Sequence, residues 1–108
     1  MEGLNLKEVM EAIPDHFIPE NAMGIKATVQ CKFSGSQASE WIITIEDQTC
    51  IVEEGITGNP DITVKADTKV IQDLINGELD PLRAFLFGKV KINGELSEGM
   101  RLVKLFQI

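Results

Sequence analysis

From Ile25 to Ser34 every second residue is apolar. Ile25, Ala27, Val29, Cys31 and Phe33 alternate with Lys26, Thr28, Gln30, Lys32 and Ser34. Successive side chains of an extended chain point to opposite faces, so this run is a β-strand with one dry face and one wet face. A dry strand face demands both a sheet to extend it and a layer to cover it. The residues that follow supply the sheet. Ser39–Glu46 is β-branched and apolar, Asp47-Gln48 offers a turn, and Thr49–Glu54 returns as a third strand. Gly55, Gly58, Asn59 and Pro60 mark a loop, and Asp61–Ala66 alternates again. Four strands on short connections predict an antiparallel meander with one buried face.

The cover comes from segments of helical period. Leu6, Val9, Met10 and Ile13 recur at i, i+3, i+4 and i+7, with Asn5 as N-cap and Glu8 at N3. Pro14 ends this helix, and Phe17 and Ile18 anchor the loop behind it. After the fourth strand, Asp67 caps a helix bearing Val70, Ile71, Leu74 and Ile75, which Gly77 stops. Asp80-Pro81 opens another, which Gly88 ends. Lys89–Ile92 reads as a fifth strand, Asn93-Gly94 as a turn, and Glu95–Phe106 as the last helix. The expected fold is α+β, a five-stranded, mainly antiparallel sheet covered on one face by helices. With 108 residues and no linker, a single domain over 1–108 is expected.

Composition narrows the function. Seventeen acids against ten Lys plus Arg give a net charge of −7, which argues against nucleic acid as a partner. No apolar run approaches the ~20 residues that span a bilayer, and no basic stretch followed by an apolar one marks a leader. Two cysteines, Cys31 and Cys50, make no disulfide framework. A reduced, cytoplasmic compartment is the expectation.

Catalytic chemistry finds little footing. The single histidine, His16, stands beside Asp15 in a loop, where a solvated imidazole is the ordinary outcome. Cys31 shares the apolar parity of its strand and reads as a buried, inert thiol. No phosphate-binding or nucleophile-elbow motif occurs. The expectation is a protein that is not an enzyme and carries no cofactor or metal. What stands out instead is the last third, where Leu82, Phe85, Leu86, Phe87, Leu96, Met100, Leu102, Val103, Leu105 and Phe106 crowd together. Some of this surface is either wedged in a core, lines a cavity or meets a partner.

The same third carries a resemblance. Pro60–Val64, Gly77-Glu78-Leu79-Asp80-Pro81, Ala84-Phe85 and Gly88-Lys89-Val90-Lys91-Ile92-Asn93-Gly94, in that order, resemble the sterol carrier protein-2 (SCP-2) family. The likeness extends from the Trp41 strand through Arg101–Leu105 and covers about residues 20–108. It implies an apolar cavity between sheet and helices that holds a fatty acid, fatty acyl-CoA or another lipid, and no catalytic residues. On this likeness the lining falls to Leu82, Phe85 and Leu86 of the penultimate helix and to Met100, Val103 and Phe106 of the last. Phe33, Trp41 and Ile43 of the sheet join them. The alternative role is a non-catalytic accessory or dimerisation module beside a lipid- or quinone-metabolising enzyme, so monomer and homodimer both stay open. The chain ends Phe106-Gln107-Ile108 rather than in the peroxisomal Ser-Lys-Leu of many relatives, so peroxisomal import is not expected. An acyl chain of about 14 buried CH₂ groups gains on the order of 10 kcal/mol, against ordering and association costs of ~4–15 kcal/mol. Affinity of this kind needs no sharp polar motif.

Charge is unevenly spread. Residues 83–108 hold five bases against two acids, a net +3, while residues 1–82 hold −10. Lys89, Lys91 and Arg101 are therefore the candidates for an anionic head group, or for transient contact with an anionic membrane surface.

Overall fold

A computed structural model describes residues 5–107; Met1–Leu4 and Ile108, the last residue of the expected terminal tripeptide, lie outside them. The elements are α1 (Leu6–Ala12), β1 (Ala27–Ser34), β2 (Ser39–Glu46), β3 (Thr49–Glu54), β4 (Ile62–Asp67), α2 (Thr68–Ile75), α3 (Pro81–Leu86), β5 (Val90–Asn93) and α4 (Leu96–Val103). Two short 3₁₀ turns, Ile13–His16 and Pro19–Ala22, lie between α1 and β1. The caps read from sequence are in place. The Asn5 side chain accepts from Glu8 N–H, Asp67 from Lys69 N–H and Asp80 from Arg83 N–H.

The five strands form one sheet in the order β3-β2-β1-β4-β5. The expected four-stranded meander is wrong at its last step. β4 does not continue beyond β3 but crosses to the far side of β1 and pairs with it in parallel, Val29 opposite Ile62 and Phe33 opposite Ala66. The other three pairings are antiparallel. A buried side chain anchors the crossover. Gln30, on the central strand, is 1% exposed. Its Nε2 donates to the carbonyls of Trp41 and Gly55, each at 3.0 Å, and its Oε1 accepts from Thr57 N–H at 2.8 Å. The connecting loop thus finds its hydrogen bonds on the sheet face that the alternation had assigned to water. The turn at Asn93-Gly94 needs its glycine, since φ is +127° and a Cβ would stand 3.0 Å from the Asp61 carbonyl.

The hairpin between β2 and β3 turns on Asp47 and Gln48, with φ of 52° and 60°. This left-handed pair suits the twist of a two-residue hairpin but favours Asn and Gly over these residues. Gln48→Gly is expected to raise the unfolding free energy by about 0.5–1 kcal/mol in a urea melt. A lower value would mean that the bond from Gln48 Nε2 to the Pro19 carbonyl, at 3.1 Å, outweighs the relief.

The inner face carries Ala27, Val29, Cys31 and Phe33 of β1, with Trp41, Ile45, Ile62 and Ala66 from the neighbouring strands. Leu6 and Met10 of α1, Leu102 of α4 and Leu105 complete the same cluster. α1 and α2 are tied to one end of the sheet. Leu6 N–H donates to Gln37 Oε1 at 2.6 Å, Gln37 N–H to Thr68 Oγ1 at 3.3 Å, and the buried Thr68 hydroxyl to the Ser34 carbonyl at 2.7 Å.

The last helix is shorter than the sequence predicts. α4 ends at Val103, and Phe106 lies beyond it in a bridge to Phe17, with the two rings 5.7 Å apart. The cause is competition for backbone groups. Ile18 N–H bonds the Leu105 carbonyl at 2.7 Å, and Gln107 N–H bonds the His16 carbonyl at 2.8 Å. The Asn21 amide takes the Lys104 carbonyl at 3.1 Å. Phe17 and Ile18 are anchors as expected, and what they anchor is this C-terminal segment.

Candidate functional site

α3 and α4 are each amphipathic with a second apolar side. On α4 the inward positions are Leu102, which is buried, and Gly99, whose missing Cβ would meet Ile92 at 3.8 Å. A Cβ at that distance would make ordinary van der Waals contact with β5. Leu96, Met100 and Val103, at i, i+4 and i+7, form a stripe on the solvent side. On α3, Ala84 is fully buried and Phe85 half-buried, while Leu82 and Leu86, at i and i+4, face outward. Leu82 is 64%, Leu86 66%, Met100 61% and Val103 62% exposed. Phe87 and Ile75 are exposed as well. Apolar surface repeated at helical spacing on two helices that both pack against β5 is more than scattered exposure.

The nine lining candidates therefore separate. Phe33 and Trp41 are buried in the core, and Ile43 and Phe106 pack against it. The Trp41 indole N–H is satisfied by Ser39 Oγ at 2.9 Å. Leu82, Phe85, Leu86, Met100 and Val103 lie outside that cluster, on α3 and α4.

The cationic candidates separate too. Lys89 and Lys91 line an open depression of about 390 Å³ together with Lys32, Ser34, Lys65 and Asp67. Arg101, on α4, is not among its lining residues. Sequence reading missed Lys32 and Lys65, because their neighbourhood with Lys91 is a matter of strand register: Lys32 stands opposite Lys65, and Lys65 opposite Lys91.

His16 is exposed and engages its neighbours through its backbone carbonyl. Burial pushes the Cys31 thiol up to about 12 and the half-buried Cys50 thiol to about 11, which opposes the thiolate that a nucleophile needs. At pH 8, iodoacetamide is expected to leave Cys31 unmodified in the folded protein and to alkylate it once urea unfolds the chain; alkylation faster than unfolding would contradict this burial. Among the described residues no group of three or more His, Cys, Asp or Glu is placed to hold a metal ion. No helix among them is long and apolar enough to cross a membrane.

Comparison with known proteins bears on this geometry. The family model described as the SCP-2 sterol transfer family matches residues 6–107. Hydroxysteroid dehydrogenase-like protein 2 of Rattus norvegicus is 25% identical over 101 residues, 93% of this chain and 19% of that protein. The chain spans about a fifth to a quarter of the length of the curated relatives it matches. Among solved structures, the sec-alkylsulfatase Pisa1 from Pseudomonas sp. superposes with a TM-score of 0.80 at 18% identity, covering 97% of this chain and 17% of that one. Sterol carrier protein 2 like 2 from Aedes aegypti superposes with a TM-score of 0.71 at 16% identity, covering 94% of this chain and 95% of that one. That mosquito protein has also been solved in palmitated form.

Proposed function

The chain belongs to the SCP-2 sterol transfer family, and from that premise we propose that it is a lipid-binding and lipid-transfer module that holds a single acyl chain. The observation that carries this reading is the pair of exposed apolar stripes, Leu82 and Leu86 on α3 and Leu96, Met100 and Val103 on α4. In this reading the acyl chain lies along the two outward-facing stripes and covers them. Phe85 closes one side. Arg101, exposed one residue after Met100, meets the carboxylate at the water-facing end. A fatty acid or its thioester suits such a site, because the driving force is burial of CH₂ groups at ~0.8 kcal/mol each and one cation suffices to orient the head. No catalytic role is assigned to any side chain.

A fluorescent fatty acid is the direct probe. We expect saturable binding at one site per chain, competed by palmitate, and weakened when Phe85→Trp or Met100→Trp fills the space. Absence of saturable binding would overturn the reading.

A second reading is supported by the coverage figures. In the proteins whose names describe a dehydrogenase-like protein and a sulfatase, the matching region is a quarter or less of the length. Here the apolar stripes would instead form a partner or dimer face. Light scattering after size exclusion separates the two: a monomer favours the carrier, and a stable dimer that loses fatty-acid binding favours the module.

A further inference from the structure

The outer face of the sheet carries a row of like charges. Lys32, Lys65 and Lys91 occupy three adjacent strands in direct register. They share the parity of Ser34 and Asp67, so all five side chains project from the face opposite the apolar core. Lys89 joins them at the rim, and together they line the 390 Å³ depression. Like charges directly opposite one another in a sheet are destabilising. Among the described residues none of the four lysines makes an ion pair, although the chain is rich in acids. The one carboxylate lining the depression is engaged elsewhere. Asp67 accepts from Lys69 N–H at 2.8 Å and from the Ser34 hydroxyl at 3.3 Å, which fixes it as the cap of α2. Glu40 stands opposite Lys32 at the far end of the row and forms no ion pair with it.

We propose that this lysine ladder is a binding site for a small polyanion of diphosphate size. Adjacent strands lie ~4.8 Å apart, so neighbouring ammonium groups can each reach a different phosphoryl group of one molecule. The surface is concave, which fits a compact anion better than a flat bilayer. Four cations against one engaged carboxylate supply the charge such an anion requires. The site uses none of the residues of α3 and α4 and stands or falls separately from acyl-chain binding.

The test is a titration of the ¹⁵N-labelled full chain with inorganic pyrophosphate, inorganic phosphate, and vesicles of phosphatidylcholine with phosphatidylglycerol, each followed by amide shifts. The expected result is a saturable response to pyrophosphate confined to residues 32–34, 65–67 and 88–91, weaker by at least tenfold with phosphate, and reduced as salt is raised. Lys65→Gln abolishes it, Lys65→Arg retains it, and Lys65→Gln leaves fatty-acid displacement unchanged. Lys65→Gln also melts at a higher temperature than the parent, because a repulsive neighbour has been removed. Three results would overturn the proposal. They are a response spread evenly over Lys7, Lys26 and Lys104, an undiminished response in Lys65→Gln, and perturbation of these amides by the anionic vesicles with none by pyrophosphate, which would make the face a membrane contact.

Discussion

Gln30→Ala should cost about 3 kcal/mol of unfolding free energy, a large part of the stability of a domain this size. The side chain sits at the centre of the sheet, 1% exposed, and its loss leaves Thr57 N–H and the carbonyls of Trp41 and Gly55 without their partner. An unsatisfied buried backbone group costs ~1–3 kcal/mol, moderated where water can reach the loop side. Gln30→Leu, close in volume, is expected to restore little, because what is lost is hydrogen bonding rather than packing. The measurement is urea unfolding followed by the fluorescence of Trp41, the only tryptophan. A Leu variant as stable as the parent would show that the crossover holds itself in place without Gln30.

The second large effect concerns ligand binding. Replacing Leu86 and Met100 together by Asp removes one residue from each exposed stripe and puts a carboxylate in its place. Each apolar side chain contributes about 1.5–3 kcal/mol when covered, so the double variant should bind a fatty acid more than a hundredfold more weakly. Both residues are exposed in the fold, at 66% and 61%, so stability should stay within about 0.5 kcal/mol of the parent. That contrast is what makes the experiment informative. A residue wedged in a core would show loss of stability first. Retained binding in a well-folded Leu86→Asp/Met100→Asp variant would move the acyl chain elsewhere.

Local rules carried the sequence reading a long way. The alternation from Ile25 to Phe33, the caps at Asn5, Asp67 and Asp80, and the turns at Asp47-Gln48 and Asn93-Gly94 are each written in a few adjacent residues, and each stands in the structure. The parallel placement of β4 was not legible, because it depends on a loop crossing the sheet and on one glutamine whose type reads as solvated. The end of α4 was missed for a similar reason. Phe106 continues the apolar run, but Phe17, 89 positions earlier, takes it into a bridge. For the site, periodicity supplied the apolar residues of α3 and α4 without telling which side of each helix would be covered. The lysine ladder was invisible, since Lys32, Lys65 and Lys91 meet only through strand register.

The central claim, that α3 and α4 seat an acyl chain, is tested most directly with a spin-labelled stearate. The label broadens the amide signals of residues within its reach, so the titration reports stoichiometry and position together. Saturation at one molecule per chain, with broadening concentrated in residues 82–87 and 96–103 and reversed by palmitate, is the predicted result. Broadening that never saturates, or that falls on β2 and β3 while α3 and α4 stay sharp, would contradict it.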